Sequence, residues 1–229
     1  MPSDIAVYGL GVMGRNIALN MADRGYTVTV YNRTASVTDA FVAQLPADSH
    51  IVASYDLAGL AASLTRPRTV FLMAKAGKVV DLVIESLLPQ LEAGDIIIDG
   101  GNSFFKDSQR RRQALAEHNI RFLGMGISGG EEGARHGPSI MPGGDPGAWP
   151  QVKDIFQRIA AKADDGEPCC RWIGEGGAGH YVKMIHNGIE YGDMQLIAEA
   201  WQLMRDSLGM PAREIAETFG RWNQGPLSS

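Results

Sequence analysis

Two cysteines are all that this 229-residue chain contains, and they are neighbours, Cys169 and Cys170. Adjacent cysteines close no useful loop and lack zinc-ligand spacing, which excludes a disulfide framework and a structural zinc site. They read as reduced thiols. There is no excess of basic residues: 21 Lys and Arg face 26 Asp and Glu, for a net charge of −5. That balance speaks against nucleic acid or an anionic membrane surface as partner. No apolar run is long enough to span a bilayer. The opening MPSDIAVYGLG runs straight into structure, with no charged segment and apolar core of a secretory leader. The five histidines, at 50, 118, 136, 180 and 186, form no ligand cluster, so no metal is expected. Low-complexity tracts are absent. The expectation from these absences is a soluble cytoplasmic protein. With 45% hydrophobic residues, it has enough material for a sizeable core.

What is there is alternation. Residues 4–8 (DIAVY) and 27–31 (TVTVY) are short apolar runs, and between them 13–24 reads as a helix stopped by Gly25. Further strand-like runs fall at 51–53, 69–73, 96–99 and 121–123. Helix-like stretches fall between or before them, at 35–45, 57–64, 78–88 and 106–118. Strands and helices in this order imply a doubly wound α/β fold, with a parallel Rossmann-type sheet covered on both faces. Near residue 174 the texture changes. Residues 178–208 lack proline and carry a helical apolar pattern, and 212–222 reads as one more helix after Gly209-Met210-Pro211. We therefore expect a dinucleotide-binding domain over 1–176 and the first helices of an all-α domain over 177–229.

Gly9-Leu10-Gly11-Val12-Met13-Gly14 is a G-x-G-x-x-G between an expected strand and an expected helix. Gly9 would permit the tight turn, Gly11 the approach of a pyrophosphate, and Gly14 close packing of helix on sheet. The helix N-terminus offers free N–H groups to the phosphates. At the end of the second strand stand Asn32-Arg33-Thr34, where NAD sites place a carboxylate for the ribose 2′-hydroxyl. Arg33 can neutralise a 2′-phosphate, and Asn32 and Thr34 can hydrogen-bond it, so the expected cofactor is NADP. Three more loops follow expected strands: Met73-Ala74-Lys75-Ala76-Gly77, Gly100-Gly101-Asn102-Ser103 and Ser128-Gly129-Gly130. They suit backbone contact with cofactor and substrate.

On the long helix, Lys183, His186, Asn187, Glu190 and Tyr191 are spaced to share one face. Gly188 and Gly192 beside them suggest close approach of something to the backbone, because each costs about 1 kcal/mol relative to alanine. Oxidising an alcohol with NADP needs a base for the hydroxyl proton. A lysine serves if its surroundings lower its pKa from about 10.4 towards 7–8. Glu190 would then be the acid of a later step, with His186, Asn187 and Tyr191 suited to an oxyanion or phosphate.

These motifs resemble the 6-phosphogluconate dehydrogenase family. The most specific pieces are Gly126-Ile127-Ser128-Gly129-Gly130-Glu131-Glu132-Gly133-Ala134-Arg135, Ile140-Met141-Pro142-Gly143-Gly144, and GAGHYVKMIHNGIEYGDMQLI over 177–197. The resemblance runs over the whole chain, which corresponds to the N-terminal half of the long form. It implies NADP as cofactor, 6-phosphogluconate as substrate, oxidative decarboxylation to ribulose 5-phosphate and CO2, and a homodimer. Lys183 would be the base at the C3 hydroxyl, and Glu190 would protonate C1. Ser128, Gly129 and Gly130 would hold the carboxylate end, Asn102, His186 and Asn187 the hydroxyls, and Tyr191 the phosphate. Gly9, Gly11, Met13, Gly14, Asn32, Arg33, Thr34, Ala74, Lys75 and Asn102 would contact NADP. Many members carry alanine where Gly11 stands and valine where Ala74 stands. With only part of the substrate site present, this chain alone would turn over poorly. A β-hydroxyacid dehydrogenase of smaller substrate and a non-catalytic NADP-binding module are the competing readings.

Overall fold

The computed structural model describes residues 2–225 and 227. They form two compact units, Met1–Met184 and Ile185–Ser229.

Unit one is built on an eight-stranded sheet. Its strands are β1 (Ile5–Tyr8), β2 (Val28–Tyr31), β3 (Ile51–Ser54), β4 (Thr69–Leu72), β5 (Ile96–Asp99), β6 (Arg121–Ser128), β7 (Ser139–Gly144) and β8 (Gly174–Glu175). Their spatial order is 3-2-1-4-5-6-7-8. The first six pair in parallel, β7 runs antiparallel to β6, and β8 is parallel to β7. Helices α1 (Val12–Asp23), α2 (Ala35–Val42), α3 (Leu57–Ala62), α4 (Lys78–Leu87) and α5 (Phe105–Ala116) make the crossovers. Helices α6 (Gly130–His136) and α7 (Trp149–Ile159) flank β7 in sequence.

The alternation of side chains along each strand divides the core in two. Ile5, Val7, Val28, Val30, Ile96, Ile98, Leu123 and Met125 enter one cluster, with Ile17 and Met21 of α1 and Val152, Phe156 and Ile159 of α7. Ala6, Tyr8, Val70, Leu72, Ile97 and Phe122 enter the other, with Leu60 of α3, Val80 and Ile84 of α4 and Leu115 of α5. Continuous apolar strands are what burial on both faces requires.

The antiparallel strand β7, and helices α6 and α7, lie outside what the alternation implies. Loop 128–130 turns straight into α6 at Gly130. The Ile140–Gly144 motif is a strand whose Pro142 pairs with Met125 of β6. Helix α7 has proline in its first turn and buries Trp149, Val152, Ile155, Phe156 and Ile159 at helical spacing.

Helix α8 (Ala178–Gln202) leaves unit one at Met184 and continues into unit two. A π-type turn over Leu203–Ser207 closes it, and α9 (Ala212–Trp222) follows. Within unit two Met204 and Ile215 are buried, while Ile185, Ile189, Met194, Leu196, Ile197 and Leu203 are exposed. Among the described residues, no helix is long and apolar enough to cross a membrane.

Candidate active site

Five loops leave the C-terminal ends of the parallel strands along one edge of the sheet, those after β1, β2, β4, β5 and β6. Sequence order reverses between β1 and β4, which makes a crevice at that edge, the place where ligands bind in such sheets. The glycine motif lies there. Gly9 has φ +102°, and a Cβ on it would stand 2.5 Å from the Met73 carbonyl oxygen. A Cβ on Gly14 would overlap the carbonyl of Gly9. These two glycines are therefore demanded by packing of turn, helix and β4. Gly11 is different. It is the N-cap of α1 at φ −66°, and among the described residues nothing lies within 4 Å of a Cβ built there. A free N-cap with unfilled space beside it is the cradle an incoming pyrophosphate would occupy.

Asn32 does more than line the site. Its Oδ1 accepts from the Leu10 N–H at 3.2 Å, and its Nδ2 donates to the Thr34 carbonyl at 3.2 Å. It ties the glycine turn to the loop after β2. Arg33 and Thr34 are exposed, and Thr34, the N-cap of α2, makes no side-chain cap bond. Arg33 has no ion pair among the described residues, although its charge reaches Tyr8, whose ring centroid lies 5.0 Å from that of Tyr31, the two rings tilted at 51°. Burial is the main cause that raises the Tyr8 phenol above its usual range.

The loop after β5 is held from beneath. Asp99 is fully buried; its Oδ1 accepts from the Gly101 N–H at 3.1 Å, and its Oδ2 accepts from the Ser103 hydroxyl at 2.6 Å. Arg111 of α5 donates to the same carboxylate at 3.2 Å and to Asp81 of α4 at 2.8 Å. Asn102, exposed at the tip, is thus carried on a rigid turn. Ala74 backs this turn through its carbonyl, and Lys75 is exposed beside it. After β6, Gly129 and Gly130 have φ of +128° and +59°, which a side chain rarely adopts. Ser128 is half-buried there.

Helix α8 enters this edge on its first turns. Gly179 packs against the carbonyls of Gly124 and Met141, and Lys183 is 7% exposed. Lys183 rests on Gly126, where a Cβ would lie 2.5 Å from its own. His180 is buried, and its Nδ1 lies 2.6 Å from Ser108 Oγ. Unit one therefore brings together Gly9, Gly11, Met13, Gly14, Asn32, Arg33, Thr34, Ala74, Lys75, Asn102, Ser128, Gly129, Gly130 and Lys183. His186, Asn187, Glu190 and Tyr191 belong to unit two. There His186 and Asn187 are half-buried, and Glu190 and Tyr191 are exposed. His186 Nδ1 lies 3.6 Å from Glu190 Oε2. Among the described residues no atom lies within 4 Å of a Cβ built on Gly188 or Gly192, so neither glycine serves a close packing contact there.

Sequence reasoning missed most of the buried support: Asp99, Ser108, Arg111 and His180, with Gly124; Ser103 and Gly126 stood in quoted motifs, without this role. Asp99 closing an isoleucine run before Gly-Gly-Asn-Ser was the one local signal of it. Arg111 hides in the run Arg110-Arg111-Arg112, in which nothing local sets it apart from its neighbours. Among the described residues no three His, Cys, Asp or Glu gather as metal ligands.

Residues 4–174 match the family model described as the NAD binding domain of 6-phosphogluconate dehydrogenase, and residues 179–229 match its C-terminal domain. A Haemophilus ducreyi protein named 6-phosphogluconate dehydrogenase, decarboxylating, is 59% identical over 226 residues, 99% of this chain and 47% of that protein. The Rattus norvegicus protein of the same name is 55% identical, again over 99% of this chain and 47% of its own length. The chain spans about half the length of the curated relatives it matches. A solved Plasmodium falciparum 6-phosphogluconate dehydrogenase, whose description includes complexes with NADP+ and with 6-phosphogluconate, superposes with a TM-score of 0.91 at 42% identity. It covers 97% of this chain and 48% of that one. A Mycobacterium tuberculosis 3-hydroxyisobutyrate dehydrogenase shares the fold, with a TM-score of 0.78 at 22% identity over 100% of this chain and 72% of that one.

Proposed function

This chain belongs to the 6-phosphogluconate dehydrogenase family, and from that premise we propose that it is the NADP-binding and base-bearing part of an enzyme that oxidatively decarboxylates 6-phosphogluconate. The observation that carries the reading is Lys183, buried at the same sheet edge as the glycine cradle and the loops bearing Asn102 and Ser128.

The residues present suit NADP. Gly9, Gly11, Met13 and Gly14 surround the pyrophosphate position, Arg33 and Thr34 offer charge and a hydroxyl to a 2′-phosphate, and Ala74, Lys75 and Asn102 line the neighbouring loops. When bound, NADP supplies the hydride acceptor. The rest falls to this chain's side chains. Lys183 takes the proton of the substrate's C3 hydroxyl and, once protonated, assists at that oxygen during loss of CO2. Glu190 delivers a proton to C1. Ser128 and the Gly129 and Gly130 backbone hold the carboxylate end, Asn102, His186 and Asn187 the hydroxyls, and Tyr191 the phosphate. A base and a separate acid answer the two proton demands of the reaction, one at each carbon. Products are ribulose 5-phosphate and CO2, and the family relation supports a homodimer working in the cytoplasm.

Titration of the chain with NADP and NAD, and turnover of 6-phosphogluconate by a protein of its relatives' full length, test the reading. Equal affinity for the two cofactors, or no oxidation of the substrate by the full-length protein, overturns it.

A further inference from the structure

His180 has no part in this chemistry, yet it is buried at 2% exposure among groups that make its place costly. It stands one helical turn before Lys183 on α8, so the two side chains share a face. That face meets β6 at Gly124 and Gly126, two residues apart and therefore on one side of the strand. A Cβ on Gly124 would come 2.8 Å from His180 Nδ1, as one on Gly126 would crowd Lys183. The imidazole fills one slot and the lysine stem the next.

Three elements close on the ring. Nδ1 lies 2.6 Å from Ser108 Oγ of α5, a fully buried hydroxyl. Asp99 of β5 is the register partner of Gly124, so its carboxylate projects on the same face. Arg111 of α5, bound to that carboxylate, is the other charge that the ring feels. The backbone of Gly101 and Asp99 also hydrogen-bonds the ring, from the turn that carries Asn102. His180 thus joins α8 to α5 and adjoins the aspartate that holds the Asn102 turn. A leucine could fill the slot, but it could not be tied to Ser108.

We propose that His180 is a positioning residue, which through Ser108 fixes the rotation and depth of α8 and so sets where Lys183 stands relative to the Asn102 loop. The proposal rests on Lys183 being the base. Its test is kinetic, in a protein of its relatives' full length, with three variants. His180→Leu fills the slot without a bond, Ser108→Ala keeps the ring but removes its partner, and His180→Asn keeps a polar atom near the position of Nδ1. A displaced base lowers kcat without weakening binding. His180→Leu and Ser108→Ala are therefore expected to lose roughly ten- to a hundredfold in kcat. KM for 6-phosphogluconate and Kd for NADP should hold, and His180→Asn should recover part of the loss. Unchanged kcat in folded Ser108→Ala overturns the proposal. So does a loss in which KM and NADP affinity worsen in step with kcat and His180→Asn is no better than His180→Leu. If His180→Leu fails to fold, Ser108→Ala decides by the same criterion. Lys183→Met separates the two layers: turnover surviving there removes the base assignment itself, whereas a dead Lys183→Met beside a fully active Ser108→Ala removes only the role of His180.

Discussion

Gly126 of β6 and Lys183 of α8 meet with no room between them, since a Cβ on the glycine would stand 2.5 Å from that of the lysine. The strand backbone and the helix side chain are in direct contact, so the lysine's position is set by the sheet.

Gly126→Ala should therefore force α8 away from β6. Overpacking of this kind costs about 1–3 kcal/mol. Chemical denaturation of the chain measures it, with Gly11→Ala as the contrast. Among the described residues nothing lies within 4 Å of a Cβ at Gly11, so that variant should stay within about 0.5 kcal/mol of the parent. Equal stability of the two variants would show that the contact yields easily.

Arg33→Ala should erase most of the preference for NADP over NAD. Its guanidinium is exposed and has no ion pair among the described residues, so it is available to a 2′-phosphate. A charge-assisted hydrogen bond contributes about 1.5–3 kcal/mol, or roughly ten- to a hundredfold in affinity. Isothermal titration with both cofactors reads it. An undiminished preference in the variant would place the 2′-phosphate elsewhere.

Lys183→Met, close in length and without charge, should retain NADP affinity and remove oxidation in a full-length protein. Glu190→Gln should spare hydride transfer more than protonation at C1, so solvent deuterium entry at C1 should slow further than NADPH formation. Similar losses in both steps would argue against a separate acid.

Acid should weaken unit one through His180. Burial holds its imidazole below the usual range, and the Asp99 carboxylate opposes this only in part. The unfolded chain then takes up a proton there more readily than the folded one. Stability is whole above about pH 6.5 and falls as pH drops towards the folded value. The hydrogen bond from Arg111 holds the Asp81 carboxyl below its usual range, a contribution present above about pH 4 and lost only in stronger acid. Unfolding midpoints from pH 7.5 down to 5 should decline more steeply for the parent than for His180→Leu. Parallel curves would show that the ring does not titrate on unfolding.

The exposed Ile185, Ile189, Leu196, Ile197 and Leu203 should make the chain self-associate through α8. Each is roughly half exposed, so its further burial would contribute only part of the about 1.5–3 kcal/mol of a full transfer. Light scattering on the eluting chain tests this, with Ile189→Glu expected to reduce the association. A monomer at high concentration would count against it. Met204, within the π-type turn that follows α8, is buried instead.

The strand–helix alternation, the glycine turn and the Asn32-Arg33-Thr34 signal were legible because each is local. A strand's period, a turn's need for positive φ and a strand-end charge are all written within a few residues. Motif strings such as that over 177–197 carried the family in the same way. The antiparallel β7 was not legible, since Pro142, Gly143 and Gly144 carry no strand propensity of their own and pair only because β6 offers an edge.

By itself, then, the sequence determined that this is a doubly wound dinucleotide-binding chain and offered the residues proposed to face its ligands. Tertiary structure alone decided what holds those residues still. Asp99, Ser108, Arg111 and His180 come from a strand, the crossover that follows it and a distant helix, and their charges and hydroxyls are tolerable in the interior only where they find one another. Gly124 and Gly126 acquire their meaning in the same way, from side chains that α8 brings back across about 55 residues of chain, and no local pattern records such an encounter.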